Sequence, residues 1–293
     1  MIKTSEMQVV SPKSLDECLY LLNDQEKNNR LIAGGTDAVV RMKDKKWTPD
    51  IWINIKGMNE LRYIRKDPSG IHVGPLTTHT DIVKSKLLQD KADVLTFAAK
   101  EVGATQMQNM GTLGGNIGNA SPTGDTIPAL YVLDARIELS SLYGTRTVPI
   151  EEFFIGPGKT VIQTDEIITD IIIRPQDTSE IGIFEKLGPR KAQSISIVNF
   201  AASINLDKEG HHCSSGRLAF GSVGPTIIRA KKCESMLTLD RFDKSLTHNI
   251  SKVAWKEVAP ISDARASSNY RRDMASALLE RGLLRLMKRW ENK

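Results

Sequence analysis

From Val102 to Gly124 the chain carries no charged residue, and Gly111, Gly114, Gly115, Gly118 and Gly124 punctuate the run. It is too rich in Gly, Asn, Thr and Ser to cross a bilayer, which takes roughly 20 mainly apolar residues. Uncharged polar backbone with several glycines suits close approach to a group that accepts hydrogen bonds from N–H donors. Glycine lacks the Cβ and adopts positive φ, so neighbouring N–H groups can converge on an anion, usually a phosphate. A tight structural turn is the alternative, but one or two glycines would suffice for that.

A second candidate cradle lies upstream. The apolar strand Leu31-Ile32-Ala33 runs into Gly34-Gly35-Thr36-Asp37, and Ala38 to Lys43 continues as a helix. Neither segment is a dinucleotide fingerprint, which needs G-x-G-x-x-G after a strand and an acidic residue about twenty positions later; nor is there a G-x-x-x-x-G-K-[ST] loop. Two cradles on separate sub-domains suit a long, doubly phosphorylated ligand in the cleft between them.

Around these segments the patterning predicts an α+β chain. Ser14 with Glu17 three residues on reads as a capping box, followed by Leu15, Cys18, Leu19 and Leu22 at helical spacing. Ile51, Ile53 and Ile55 alternate with polar neighbours as a strand. Residues 61–65 and 70–74 form a hairpin, 80–88 and 94–102 helices (the second ending at Gly103), and 136–140 with 144–148 another hairpin. Glu166 to Ile173 is a strand stopped by Pro175. Beyond Pro175 three strands, 181–187, 195–205 and 215–223, form an antiparallel set, and helices occupy the remainder. A domain boundary is expected near 176–180.

Several function classes drop out. Cys18, Cys213 and Cys233 are scattered and form no C-x-x-C pair, so this chain alone supplies neither a zinc nor an iron–sulfur ligand set. The net charge of +5 is modest, and Lys and Arg concentrate only at Arg281, Arg285, Lys288 and Arg289. That suits a solvated helix face or a subunit contact better than a nucleic-acid footprint. Residues 1–7 lack a signal-peptide hydrophobic core and no segment is long and apolar enough for a membrane, so the expectation is a cytoplasmic protein with no membrane or nucleic-acid partner.

With these residues in place, a resemblance can be stated. Ala33-Gly-Gly-Thr-Asp37 together with Thr112-Leu-Gly-Gly-Asn-Ile-Gly-Asn-Ala-Ser-Pro-Thr-Gly-Asp125 resembles the FAD-binding medium subunit of the molybdenum hydroxylases. Phe153-Phe154-x-Gly156-Pro-Gly-Lys159, Asp165-Glu-Ile167, Ala219-Phe-Gly-Ser-Val-Gly-Pro225 and Asp263-x-Arg265-x-Ser267-x-x-Tyr270-Arg271 extend it along nearly the whole chain, closest to bacterial xanthine dehydrogenase-type subunits. The resemblance implies a vanillyl-alcohol-oxidase (PCMH-type) FAD-binding domain over residues 1–177, made of two α/β sub-domains (about 1–56 and 57–177). A small C-terminal domain, 178–293, would hold a three-stranded antiparallel sheet and helices.

It further implies FAD here, with [2Fe–2S] clusters and molybdopterin on partner subunits, and electrons passed to NAD+ or another acceptor. The implied FAD residues are Leu31, Ile32, Ala33, Gly34, Gly35, Thr36 and Asp37 on one side. On the other are Gly103, Gly111, Thr112, Gly114, Gly115, Asn116, Gly118, Asn119, Gly124 and Asp125, with Ile168 and Lys186 beyond. Asp125 would accept from a ribose or ribityl hydroxyl, or cap the next helix. Lys186 would stand at the pyrimidine edge of the flavin; on pattern alone it is a surface lysine of a strand. No catalytic acid or base and no metal ligand is expected, because the cofactor carries the chemistry. The alternative is a self-contained FAD-dependent reductase of the same superfold.

Overall fold

The computed structural model describes residues 8–24 and 26–292; the N-terminal reading of residues 1–7 lies outside them. The chain begins with a three-stranded parallel sheet in the order Gln8–Val10, Ile51–Asn54, Asn29–Ile32. Helix Leu15–Leu22 starts at Ser14, whose side chain accepts from the Glu17 N–H; the Glu17 carboxylate takes the Lys13 N–H instead of closing the box on Ser14. The middle strand departs from strict alternation. Ile51, Trp52 and Ile53 are all buried, as expected of a central parallel strand covered on both faces.

The second unit is a five-stranded antiparallel sheet in the order Ile64–Asp67, Gly70–Val73, Ile167–Ile173, Arg136–Ser141, Gly144–Pro149. The late strand Ile167–Ile173 sits in its centre, which is why it reads as a nearly unbroken apolar run. Its register shifts between Ile168 and Asp170, a bulge that re-aims the strand end. The helix expected over 80–88 is two, His79–Lys84 and Lys86–Lys91, divided at Ser85, whose side chain caps the second.

Past Pro175 the expected three strands, Glu180–Leu187, Val198–Leu206 and Cys213–Gly221, are joined by a fourth of two residues, Ile228–Arg229. The sheet is therefore four-stranded; so short a strand after Pro225 carries no period-2 signal. Period 2 governs its two faces. Phe200, Ala202, Leu218 and Phe220 enter a core with the C-terminal helices, whereas Phe184, Ala201 and Ala219 join the core of the preceding unit. Residues on both sides of the expected boundary thus share one core.

The last helix, Ser268–Glu291, starts at Ser267, which caps Tyr270. Its cations are not spare. Arg281 and Arg285 both bond the buried Glu185 carboxylate, at 2.6 and 2.5 Å, and Arg289 bonds Asp93 and the Gly182 carbonyl. Three of the four cations of this face thus also hold the helix to its own sheet and to the preceding unit, while their side chains stay partly exposed. Arg271 explains the Asp263-x-Arg265-x-Ser267-x-x-Tyr270-Arg271 motif. Its buried guanidinium spans the carbonyls of Ile197 and Ser222 and both oxygens of Asp263, fixing the approach to the helix.

Candidate functional site

The two glycine segments meet. Gly34 lies so close to the Met110–Gly111 backbone that a Cβ there would stand 1.8 Å from the Met110 carbonyl oxygen. Gly35 adopts φ +74, a conformation L side chains rarely adopt. Among the described residues no hydrogen-bond acceptor takes the backbone N–H groups of Gly34, Gly35, Thr36 or Asp37, whereas Val39 N–H already bonds Gly35 O. Four consecutive donors are therefore left over at the wall of a cleft of about 500 Å³. Helix Ala38–Lys43 behind them has six residues and its first residue carries no side-chain cap, so the loop N–H groups themselves are the feature.

The second segment is not an open loop. Leu113–Asn119 is a helix with Thr112 as its N-cap, and Leu113 and Ile117 are its buried face. Its first donors are already used: Leu113 N–H bonds Thr77 O, Gly114 N–H bonds Pro75 O, Gly115 N–H bonds Thr112 Oγ1, and Asn116 N–H bonds Thr112 O. The converging-donor reading of Gly114 and Gly115 is corrected on this ground. Gly114 serves close packing, since a Cβ would stand 2.5 Å from Pro75 Cβ. Gly118 differs: nothing lies within 4 Å of where its Cβ would be, and it borders the cleft. Glycine there keeps space open.

The cleft wall includes Leu31, Ile32, Ala33, Gly34, Gly35, Thr36 and Asp37 from the first segment. Gly111, Thr112, Gly114, Gly115, Asn116, Gly118, Asn119 and, at the bulge, Ile168 complete the expected part. Four expected residues lie elsewhere. Gly103 has φ +52 and its carbonyl accepts the Gln193 N–H, a turn role. Gly124 is a packed turn glycine, where a Cβ would stand 2.7 Å from Ile127 Cδ1. Asp125 and Lys186 face each other at 2.6 Å, both side chains less than a tenth exposed. Lys186 also donates to the Glu101 carbonyl, and Asp125 Oδ1 accepts from Ser196 Oγ and Asn199 Nδ2. Asp125 makes no helix-capping bond. The surface-lysine reading fails because Lys186 points to the interior of the unit junction, and the capping role of Asp125 gives way to a buried four-residue polar network.

Sequence reasoning passed over three features of the cleft. His79 borders it with Nδ1 buried and without a partner, and burial pushes its imidazole down to about 4, leaving it neutral near pH 7. A single histidine in a polar segment gives no signal of this. Arg30 and Trp47 also border the cleft, and the Arg30 and Arg41 guanidiniums lie 4.1 and 4.8 Å from the Trp47 ring centroid. Among the described residues no group of three or more His, Cys, Asp or Glu could hold a metal. The three cysteines are free and buried; burial raises Cys18 to about 12 and Cys213 to about 11, which keeps both as thiols. No helix among the described residues is long and apolar enough to cross a membrane.

Comparison with known proteins decides the family. Residues 5–176 match the FAD binding domain in molybdopterin dehydrogenase, and residues 184–286 match the CO dehydrogenase flavoprotein C-terminal domain. The chain belongs to the FAD-binding subunits of the molybdenum hydroxylase family. These are oxidoreductases, named as dehydrogenases. This FAD-binding subunit is 31% identical to the nicotinate dehydrogenase FAD-subunit of Eubacterium barkeri, covering 94% of each chain. It is 32% identical to the xanthine dehydrogenase FAD-binding subunit of Escherichia coli O157:H7, over 88% of each. Carbon monoxide dehydrogenase from Hydrogenophaga pseudoflava, in a form lacking the Mo-pyranopterin moiety of the molybdenum cofactor, superposes with a TM-score of 0.92 at 28% identity, covering 97% of this chain and 98% of that one. The α+β architecture expected for the FAD-binding subunit thus stands.

Proposed function

We propose that this subunit carries FAD in the cleft between its glycine segments and serves as the electron-transfer component of a multi-subunit molybdenum hydroxylase. Residues 1–177 form the FAD-binding part and residues 178–293 the C-terminal flavoprotein part. Electrons from [2Fe–2S] clusters on one partner subunit, released by oxidation of a substrate such as a purine or other N-heterocycle at molybdopterin on another, reach NAD+ or a different acceptor through this chain. The compartment is the cytoplasm.

One observation carries the reading: four consecutive backbone donors, Gly34 to Asp37, left without acceptors at the cleft wall. Backbone N–H groups are paired by protein, water or ligand, so this row, half-buried at Gly34, Gly35 and Thr36 and exposed at Asp37, is open to acceptors from a ligand. A pyrophosphate offers them. FAD, when bound, supplies the redox chemistry. The chain's part is to bind and orient. Gly35 sets the turn that aligns the four donors, Gly34 allows the helix-borne wall to close on them, and Gly118 leaves room. Ile168, Leu31 and Ile32 give an apolar floor, and neutral His79 offers one ring nitrogen for a hydrogen bond. Lys186 and Asp125 act from behind by fixing the C-terminal sheet to this unit. The cysteines, singly buried and protonated, fit a chain that leaves cluster chemistry to partners, as do the relatives' names, which are those of subunits.

The test is direct. Purified chain should show visible flavin absorption and release FAD on denaturation; a colourless protein that also fails to take up FAD overturns the cofactor assignment. Native complex should copurify with an iron–sulfur chain and a molybdopterin chain. Full dehydrogenase activity from the lone chain would overturn the assembly.

A further inference from the structure

We propose that Arg30 and Arg41, both held against Trp47, form a two-cation clamp for the diphosphate group of the ligand in the cleft. The inference rests on the FAD reading for the identity of that ligand, but the site is argued from its own charges. Arg30 lies on strand Asn29–Ile32, four positions before Gly34, and Arg41 lies on helix Ala38–Lys43, four positions after Asp37. The two cations therefore flank the row of unpartnered N–H groups along the chain. Arg30, Trp47 and Asn119 all border the cleft, and Asn119 Oδ1 fixes Arg41 by accepting from Nη2 at 2.9 Å.

The lack of counter-charge is the telling point. The buried or half-buried Arg271, Arg229 and Arg174 are neutralised by Asp263, Glu234 and Glu180, whereas Arg272 rests alone on the Trp255 ring; Arg30 and Arg41 differ from it in sharing one indole beside the cleft. Among the described residues neither Arg30 nor Arg41 has a carboxylate within ion-pair distance. The two instead share one indole, whose ring face attracts cations. Burial, and then the charge of Arg41, lower the Arg30 pKa from its ordinary value, so the pair stands in mutual repulsion. A dianion beside it would relieve that repulsion. Guanidinium groups match phosphate oxygens with paired N–H donors. The N–H row would take other oxygens of the same group. Trp47 acts as a positioning residue: it holds both planar groups and touches no reacting atom.

The shared chemistry is a diphosphate, which FAD, ADP and NAD+ all carry, so the experiment separates them. Flavin-stripped protein, wild type and with Arg30→Gln, Arg41→Gln or both, is titrated with FAD, ADP, NAD+ and riboflavin at low and high salt. Thermal melting confirms folding. Each single change is expected to weaken FAD and ADP binding by about tenfold or more, and the double change further. The double variant should also lose most of the salt dependence that wild type shows. Riboflavin, which has no phosphate, should be unaffected. Trp47→Leu should weaken diphosphate binding and Trp47→Phe should restore much of it.

If wild type binds FAD and the folded double variant matches it within twofold at both salt levels, the clamp is refuted while the cofactor reading stands. If wild type takes ADP or NAD+ through these arginines but not FAD, the clamp stands and the FAD reading falls. Binding of none of the three diphosphates overturns both.

Discussion

Gly34 and Gly118 face opposite fates when each gains a methyl group. At Gly34 a Cβ would stand 1.8 Å from the Met110 carbonyl oxygen, and real Cβ contacts essentially never fall below 3.0 Å. The two backbones must part by at least 1.2 Å, the difference between those figures, and neither is the end of a flexible side chain. Overpacking of this kind costs about 1–3 kcal/mol of stability. It also carries the Gly34–Asp37 donors away from ligand oxygens. Charge-assisted bonds contribute roughly 1.5–3 kcal/mol each, so losing two weakens FAD binding by about two to four decades. At Gly118 nothing lies within 4 Å of the new methyl. Alanine in a helix is better than glycine by about 0.5–1 kcal/mol, so the flavin-free protein should melt a few degrees higher. If the open space belongs to the ligand, FAD affinity still falls, by about 1–3 kcal/mol or roughly five- to 150-fold. The assay is a thermal melt of each flavin-free variant beside a titration that follows quenching of flavin fluorescence. A Gly118→Ala protein that is more stable and binds FAD as wild type does would show that the space is mere solvent. An unchanged Gly34→Ala protein would refute the contact between the two segments.

Other expectations follow from buried charges. Folding buries neutral His79 and lowers its pKa from about 6.5 to about 4, so the unfolded chain binds the proton more tightly. Stability attributable to this group is full above pH 6.5 and is lost as pH falls toward 4, by up to about 3 kcal/mol; His79→Leu should flatten denaturation midpoints between pH 5 and 7, and an unchanged slope would exclude His79 as the cause. Lys186→Met leaves the Asp125 carboxylate buried without its cation and should cost about 3–5 kcal/mol, measured by urea unfolding. Adding Asp125→Asn should recover over half of that loss; additive losses would mean that the two side chains act independently. Where the single variant still holds FAD, its flavin midpoint potential should fall, and an unchanged potential would place Lys186 out of electrostatic reach of the flavin. Arg271→Leu strands Asp263 and two carbonyls and should lower stability by about 3–5 kcal/mol without changing FAD affinity.

What could be seen in the sequence was local. The strand into Gly34-Gly35, the hairpin at 64–73 and the long C-terminal helix each announce themselves by periodicity and turn residues within a few positions. The glycine helix at 113–119 was hidden because glycine disfavours helix by about 1 kcal/mol per residue. Burial of Leu113 and Ile117 on one face and the Thr112 cap outweigh that penalty, and neither can be weighed until the packing partner is known. Lys186 shows the same limit. A period-2 strand assigns it to a surface, but its partners come from residues 101 and 125, brought there by a sheet packed on both faces. The basic stripe of the last helix shows it too, since Glu185 and Asp93 lie far from it in sequence and next to it in space.

The junction at Asp125 has a bearing on synthesis from the ribosome. Thr126, the residue after it, holds Asn116 of the cleft wall through a 2.8 Å bond between Oγ1 and Oδ1. Every side-chain donor that Asp125 engages, Lys186, Ser196 and Asn199, is made after the entire cleft wall. A nascent chain that has just finished strand Ile167–Ile173 thus owns all of the cleft's backbone but holds a carboxylate whose partners do not yet exist. That carboxylate keeps its water until they arrive, because burying it alone would be far too costly. The buried polar contacts behind Asn116 are therefore complete only once residues 186–199 are in place.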